Sequence, residues 1–435
     1  MERDLKFILL TCVALAITGC GADHSSSGTG GMSGTPALDP LDTMPRYAVV
    51  SSDFRSSSSI AMLDEDFVVI DESWLNSGTT YPGLVATLSA DVVLPNRQAR
   101  DGTFAVIDRF FTDVVTRFFV PSGSLNGQVR THGNVGETGF SSNPQDLIFV
   151  NEDSAWAPRY ESNLDPSAAP ENQGNDLFEI NPTDMSTTGA RIDLSSLDTT
   201  AIVMTKDGPA EVDVFARPSR GVLVGSTLVV GLDRINANFE AAGSGMVAVV
   251  DLRDESVEGL ELVGLQSCGN TVPVPGAPTK VVVACIGFAL PFGDEPQVRA
   301  SSGIVLLDVG ESGVTIERVW RVADHPTLPI AVNSIAAIDA QRVVAVATGD
   351  SDTTVDGLYM MDLTTGEQEL VHESTGSYVI GVSAYDPQSK MLYVPDAAEN
   401  AVVEFAADEG GFVEVGSTEI ASGLGLPPAK VYLLD

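Results

Sequence analysis

Basic residues are scarce in this chain: 23 Lys and Arg stand against 60 Asp and Glu, a formal charge of −37. Such a surface repels polyanions at long range, which makes nucleic acid and bare anionic lipid poor partners. Histidine is rarer still, four in 435 residues, and no two have the HxH or HxxxH spacing of a zinc site. Cysteine also occurs four times, with neither CxxC nor CxxCH, so thioredoxin-like redox chemistry and c-type haem attachment are set aside. GxSxG, the P-loop and the sialidase Asp-box are missing, and so are long helical periods. What remains is 43% hydrophobic and 19% charged, enough apolar material for a sizeable core.

Residues 7–17 form an apolar run of 11 residues, too short to span a bilayer and of the length of a signal-peptide core. It leads into Ile17-Thr18-Gly19-Cys20, which resembles the bacterial lipoprotein signal: a small residue admits the peptidase and the following thiol carries lipid. That resemblance implies a signal peptide over residues 1–19, a lipidated Cys20 as the mature first residue, and anchoring at the cell envelope, at the outer membrane. The tract GADHSSSGTGGMSGTPALDPLDTMP over residues 21–45 has almost nothing to bury and reads, within a 20–46 segment, as a tether of roughly 25–30 Å typical span. A folded domain follows over 47–435.

With Cys12 in the signal and Cys20 carrying lipid, Cys268 and Cys285 remain. They flank the turn-rich GNTVPVPGAPT, and an exported chain permits a disulfide closing this loop, the alternative being two separate buried thiols.

From Tyr47 onward the apolar runs are short, rich in Val, Ile, Leu and Phe, and punctuated by Gly, Pro, Asn, Asp and Ser, the pattern of strands and turns. One pattern recurs, a short strand ending in an acid or amide: SIAMLD to Asp64, FAVID to Asp108, LFEIN to Asn181, VAVVD to Asp251, IVLLD to Asp308, LYMMD to Asp362, and a degenerate VVEFA to Ala406. The spacings of 44, 73, 70, 57, 54 and 44 average 57 residues, a propeller-blade length with insertions. The two largest leave room for an extra hairpin. A second strand precedes each copy, among them YAVVSS, DVVLP, LIFV, LVVGL and VVVACI; another follows it, and a weaker one comes first. The prediction is an all-β, seven-bladed β-propeller of four-stranded antiparallel blades, with KVYLL at residues 430–434 closing the first blade as its innermost strand.

The seventh copy, GVSAYDPQSKMLYVPDAAENAVVEF, resembles a repeat of YVTN or NHL-type propellers, with D-P-x-x-x-x-L-Y-V before a hairpin and a second strand. With its Cys20 motif, the whole chain is similar to propeller lipoproteins common in myxobacteria and relatives. The resemblance implies a ligand-presenting ring and leaves the activity open, since such repeats host lactonases, binding modules and scaffolds.

In a propeller the second-to-third-strand loops and the blade-to-blade links share one face. Long segments at 151–175, 233–245, 287–303 and 348–357 are expected there, and loops of such length commonly serve a use. The first carries Trp156, Arg159 and Tyr160, residue types enriched at recognition hot spots, or else a staple packing the loop on its own blade. Asp350, Asp352 and Asp356 are candidate calcium ligands, against a solvated turn; Thr354, Val355 and Met361 rule out an EF-hand. The repeated strand-end acid reads as a turn cap.

Three functions follow in order of support. The first is a non-enzymatic envelope module that binds a protein, peptide or glycan through the long-loop face. The second is a calcium-dependent hydrolase of the lactonase kind, with its site at the central channel. The third is a structural subunit of an outer-membrane complex.

Overall fold

The computed structural model describes residues 38–434, apart from 80–83, 85–87, 110, 133–139, 206–207, 289–294, 326–327, 329–330, 350–353 and 409–410. Seven four-stranded antiparallel sheets succeed one another along the chain, and one two-stranded hairpin is added to them. Seven apolar clusters lie between consecutive sheets, the last joining the seventh to the first. This is a closed seven-bladed β-propeller. No described helix is long and apolar enough to cross a membrane.

Packing on both faces explains the sequence pattern of the middle strands. Tyr47–Ser52 and Ser58–Leu63 in blade 1, and Thr103–Asp108 in blade 2, are buried throughout and read as unbroken apolar runs instead of alternating ones. Outermost strands such as Ser256–Leu262 and Gly313–Arg321 face solvent and alternate. Innermost strands vary in length, from two residues in Val92–Val93 and Ile148–Phe149 to seven in Pro218–Val224 and Ala331–Ala337.

The closing strand is where the sequence places it. Pro428–Leu433 pairs antiparallel with Tyr47–Ser52 as the innermost strand of blade 1. It also bonds to blade 7's entry segment, Val382 N–H to Ala429 O at 3.0 Å and Val431 N–H to Val382 O at 2.9 Å. Glycine is required at that seam, because a Cβ on Gly381 would sit 1.8 Å from Ala429 O. Arg46 and the Tyr47 hydroxyl, at 2.7–3.0 Å from the Asp386 carboxylate, complete the join between blades 1 and 7.

Blades 2 and 3 depart from the strand assignments made above. DVVLP contributes the innermost strand of blade 2, so FAVID is its second strand and not its third. LIFV is likewise innermost in blade 3, and the second strand is Ala155–Ser162. This shift inflates the interval from Asp108 to Asn181. The next large interval does hold an extra hairpin, Thr199–Thr205 with Gly208–Val214, between blades 3 and 4. Its Ile202 and Met204 are 66% and 79% exposed.

The folded part begins earlier than Tyr47. Leu38 and Leu41 are buried, and their N–H groups bond to Gly123 O and Pro121 O at 2.7 and 2.8 Å, on the outer hairpin of blade 2. Cys20 lies outside the described residues.

Candidate ligand pocket at the central channel

Two faces follow from the strand order. One carries the second-to-third-strand loops and the blade links, here the long-loop face; the other carries the remaining turns, here the turn face. Four of the strand-end residues are turn caps on the turn face, as expected: Asp64 accepts from Asp66 and Val68 N–H, Asn181 from Thr183, Asp251 from Arg253, and Asp362 from Thr364 and Thr365. Asp308 instead accepts from Thr279 Oγ1 and pairs with Lys280 at 3.1 Å. Asp108 differs because its strand is second in the blade. It lies buried towards the long-loop face and accepts from Ser89 N–H and Oγ at 2.6 Å each.

Trp156, Arg159 and Tyr160 are not an exposed loop. They belong to the strand Ala155–Ser162, and Trp156 fills the apolar cluster between blades 3 and 4. Arg159 is fully buried, gripping both oxygens of Asp176 at 2.7 and 2.6 Å and donating to the carbonyls of Thr131 and Glu171. The Tyr160 ring lies 4.8 Å from the Arg217 guanidinium, which also reaches Glu161 at 2.9 Å. These side chains are internal staples. The segment looked like a loop because its polarity is that of a buried, paired charge.

Asp350 and Asp352 lie outside the described residues. Asp356 is buried, and its two oxygens accept backbone N–H groups of Gly349, Tyr378, Val379 and Ile380 at 2.7–3.0 Å. That geometry closes a loop onto the link between blades 6 and 7. Cys268 and Cys285 form a disulfide, fully buried between blades 4 and 5. His372, Asp396 and Glu399 bring three ligand atoms within 4.8 Å of one another. Spacing could not reveal this group, since it joins the outer strand of blade 6 to blade 7. His372 Nε2 already pairs with Asp396 at 3.0 Å.

The channel wall is cross-linked by a polar network over five blades. Arg220 of blade 4 donates to Leu94 O of blade 2 at 2.6 Å and lies 3.4 Å from the Tyr432 hydroxyl of blade 1. Asn96 donates to Thr271 O of blade 5 at 2.9 Å. Asp146, wholly buried, accepts N–H bonds from Asn96, Leu147 and Gly221 at 2.9–3.1 Å and lies 3.6 Å from Arg220. Burial pushes its carboxyl above the usual range, and Arg220 and these donors pull against it.

Beside this network, a cavity of about 390 Å³ opens on the turn face, lined by residues 96–101, 146–152 and 221–223 with Arg117, Pro182 and Pro273. Its lip is the loop Asn96-Arg97-Gln98-Ala99-Arg100-Asp101, fastened at three points. Asn96 bonds into the channel; Gln98 exchanges two hydrogen bonds with the backbone of Ala105 at 2.8 and 3.0 Å; Asp101 accepts from Arg117 at 2.6 Å. Arg97 and Arg100 are left exposed between these fastenings.

Two carboxyls set a pH dependence. Desolvation pushes Asp108 and Asp233 up to about 6 each, against hydrogen bonds from Ser89 and Tyr160 respectively. Unfolded carboxylates titrate near about 3.9, so between about pH 6 and 4 the folded chain holds protons that the unfolded chain lacks, and stability rises as pH falls. His372 acts in the same direction. Its bond to Asp396 raises its pKa, giving stability that is complete below about 6.5 and lost as pH rises through the folded value. Asp386 and Asp396 are held low by their partners despite burial, and their contribution falls away only below about pH 4. Melting temperature should therefore climb by several degrees from pH 7.5 to 5, with Asp108→Asn starting higher and climbing less. A flat or falling wild-type profile would refute this.

No protein-family profile and no curated relative matches the sequence. Among solved structures, the chain is similar to a 6-phosphogluconolactonase-like protein of Bacteroides uniformis, with TM-score 0.50, 10% identity, and 90% of this chain and 99% of that one covered. It is also similar to the β-propeller domain of Myceliophteria thermophila Cps50 (Swd1), with TM-score 0.49, 10% identity, and 85% and 99% covered. At such identities the likeness describes the fold alone.

Proposed function

We propose that the chain is a lipid-anchored envelope protein whose propeller is a non-enzymatic binding module, meeting a protein, peptide or glycan with its long-loop face. The observation that carries this is a set of aromatic side chains in the loops of blades 1 and 2 and the link into blade 7. Phe54, Phe111 and Tyr378 are 51%, 57% and 46% exposed, and each is held at positive φ, 54°, 66° and 61°. Left-handed backbone under a bulky residue is costly and persists where its surroundings impose it. Rigid, exposed aromatics give contact area at low entropy cost.

The path of the chain fits this reading. Tyr47 pairs with Leu433 at the turn-face end of blade 1, so the described chain enters the ring from the turn face, opposite the long-loop face. The hydrolase alternative would place a metal on a channel carboxylate, and Asp146 already accepts three N–H bonds and lies 3.6 Å from the Arg220 guanidinium, whose charge opposes a cation there. Metal analysis and chelation of the folded domain test the choice. The binding reading expects no tightly held ion, a melting temperature unchanged by EDTA, and no turnover of a lactone panel. About one ion per chain, together with lactone hydrolysis lost on chelation, would overturn it.

A further inference from the structure

The turn-face cavity has features of a small-molecule site that do not depend on what the long-loop face binds. Its 390 Å³ is the size of an ordinary ligand pocket. In a chain with 23 basic residues against 60 acidic, three of the arginines, Arg97, Arg100 and Arg117, line this one cavity. Arg117 is 2% exposed, and its Nε is buried without a hydrogen-bond partner. Its other nitrogens bond to Pro182 O, Asp101 and Thr103 Oγ1. Arg97 has no hydrogen-bond or ion-pair partner among the described residues.

Two of the three acids on the wall are already engaged. Asp101 is engaged by Arg117 and Thr103, and Asp146 by three N–H groups and Arg220. Glu152 is the remaining lining carboxylate, and it disfavours ligands carrying several negative charges. The rest of the wall includes Phe149, Val222, Leu223 and Pro273. Guanidinium donors beside apolar surface suit one carboxylate on an apolar body.

We propose that this cavity binds a small organic monocarboxylate, with Arg97 and Arg100 holding the carboxylate at the lip and the body lying against the apolar wall. Arg97 and Arg100 are exposed, so replacing them leaves the fold intact. Calorimetry of the folded domain with phenylacetate, benzoate and octanoate tests the assignment, alongside citrate and phosphatidylglycerol vesicles. Expected are saturable binding of at least one monocarboxylate, weaker binding of citrate, and a loss of about tenfold or more in the Arg97→Gln/Arg100→Gln double variant, whose melting temperature is unchanged. Glu152→Gln should bind more tightly. Three results would overturn the proposal: no saturable monocarboxylate binding up to about 10 mM, equal affinity in the double variant, or arginine-dependent binding of the vesicles alone, which would make the lip a headgroup contact.

Discussion

Truncation of the chain after Pro427 is expected to abolish the folded ring. The segment Pro428–Leu433 buries Val431 and Tyr432 to 1% and 8% exposure, and burying two such side chains contributes on the order of 4 kcal/mol. It is also hydrogen-bonded to three blades: to blade 1 along Tyr47–Ser51, to blade 7 through Val382, and to blade 2 through the Lys430 ammonium and Val92 O. With several bonds at about 1 kcal/mol each, the total approaches 10 kcal/mol, which is the scale of a whole domain's stability of about 5–15 kcal/mol. Loss of the strand also bares the edge of Tyr47–Ser52 in an otherwise edge-protected ring, which invites aggregation. Urea unfolding and size-exclusion chromatography of the truncated chain should show no cooperative transition and large species. A monomeric product that melts like the full chain would mean that the other blade interfaces hold the ring without it.

Asp176→Ala should be the most damaging single substitution in blade 3. Asp176 is fully buried and holds Arg159 on both oxygens while also accepting from Arg191 at 2.7 Å. Its removal strands the Arg159 guanidinium inside the protein, a loss of about 3–5 kcal/mol, or a fall in melting temperature of roughly 5 °C for a ring of this size. Arg191 is only partly buried and has a second acceptor in the Gln173 side chain, so Arg191→Ala should lose far less. Replacing both buried partners, Arg159→Met with Asp176→Leu, should recover much of the loss, because it removes the unpaired charge. Thermal melts of the four proteins decide this. Equal melting of Asp176→Ala and the wild type would show that Arg159 is satisfied by Thr131 O and Glu171 O alone.

That pair also shows why the sequence is legible in some places and opaque in others. Blade count, closing strand and turn caps can be read from composition because the middle strands lie between two neighbours and become continuous apolar runs. Blade 7 is the clearest case, with Met391–Asp396 and Ala401–Ala407 buried over most of their length. The second strand of blade 3 is opaque because Pro158, Arg159 and Glu161 give it the polarity of a loop, and its buried charge is balanced by Asp176 on the neighbouring strand, which no local pattern displays. Two-residue innermost strands are equally hard to assign: LIFV is apolar enough to pass for a second strand. The cavity lip is hidden in the sequence for a related reason. Asn96-Arg97-Gln98-Ala99-Arg100 reads as a polar turn, and only the ring's closure brings it against Asp146, Gly221 and Pro273 from three other blades.

The order in which the ring is assembled carries a timing consequence. Blade 1 is the first to be synthesised, yet it is completed by the last strand of the ring. At about 5–20 residues per second, synthesis of the intervening chain takes ~20–80 s, and over that interval Tyr47–Ser52 has no inner partner. A chain released or cleaved before Pro428 appears presents its quality-control machinery with an open arc, whereas a completed chain presents none. The closing strand thus marks the point at which every blade of the ring has been made.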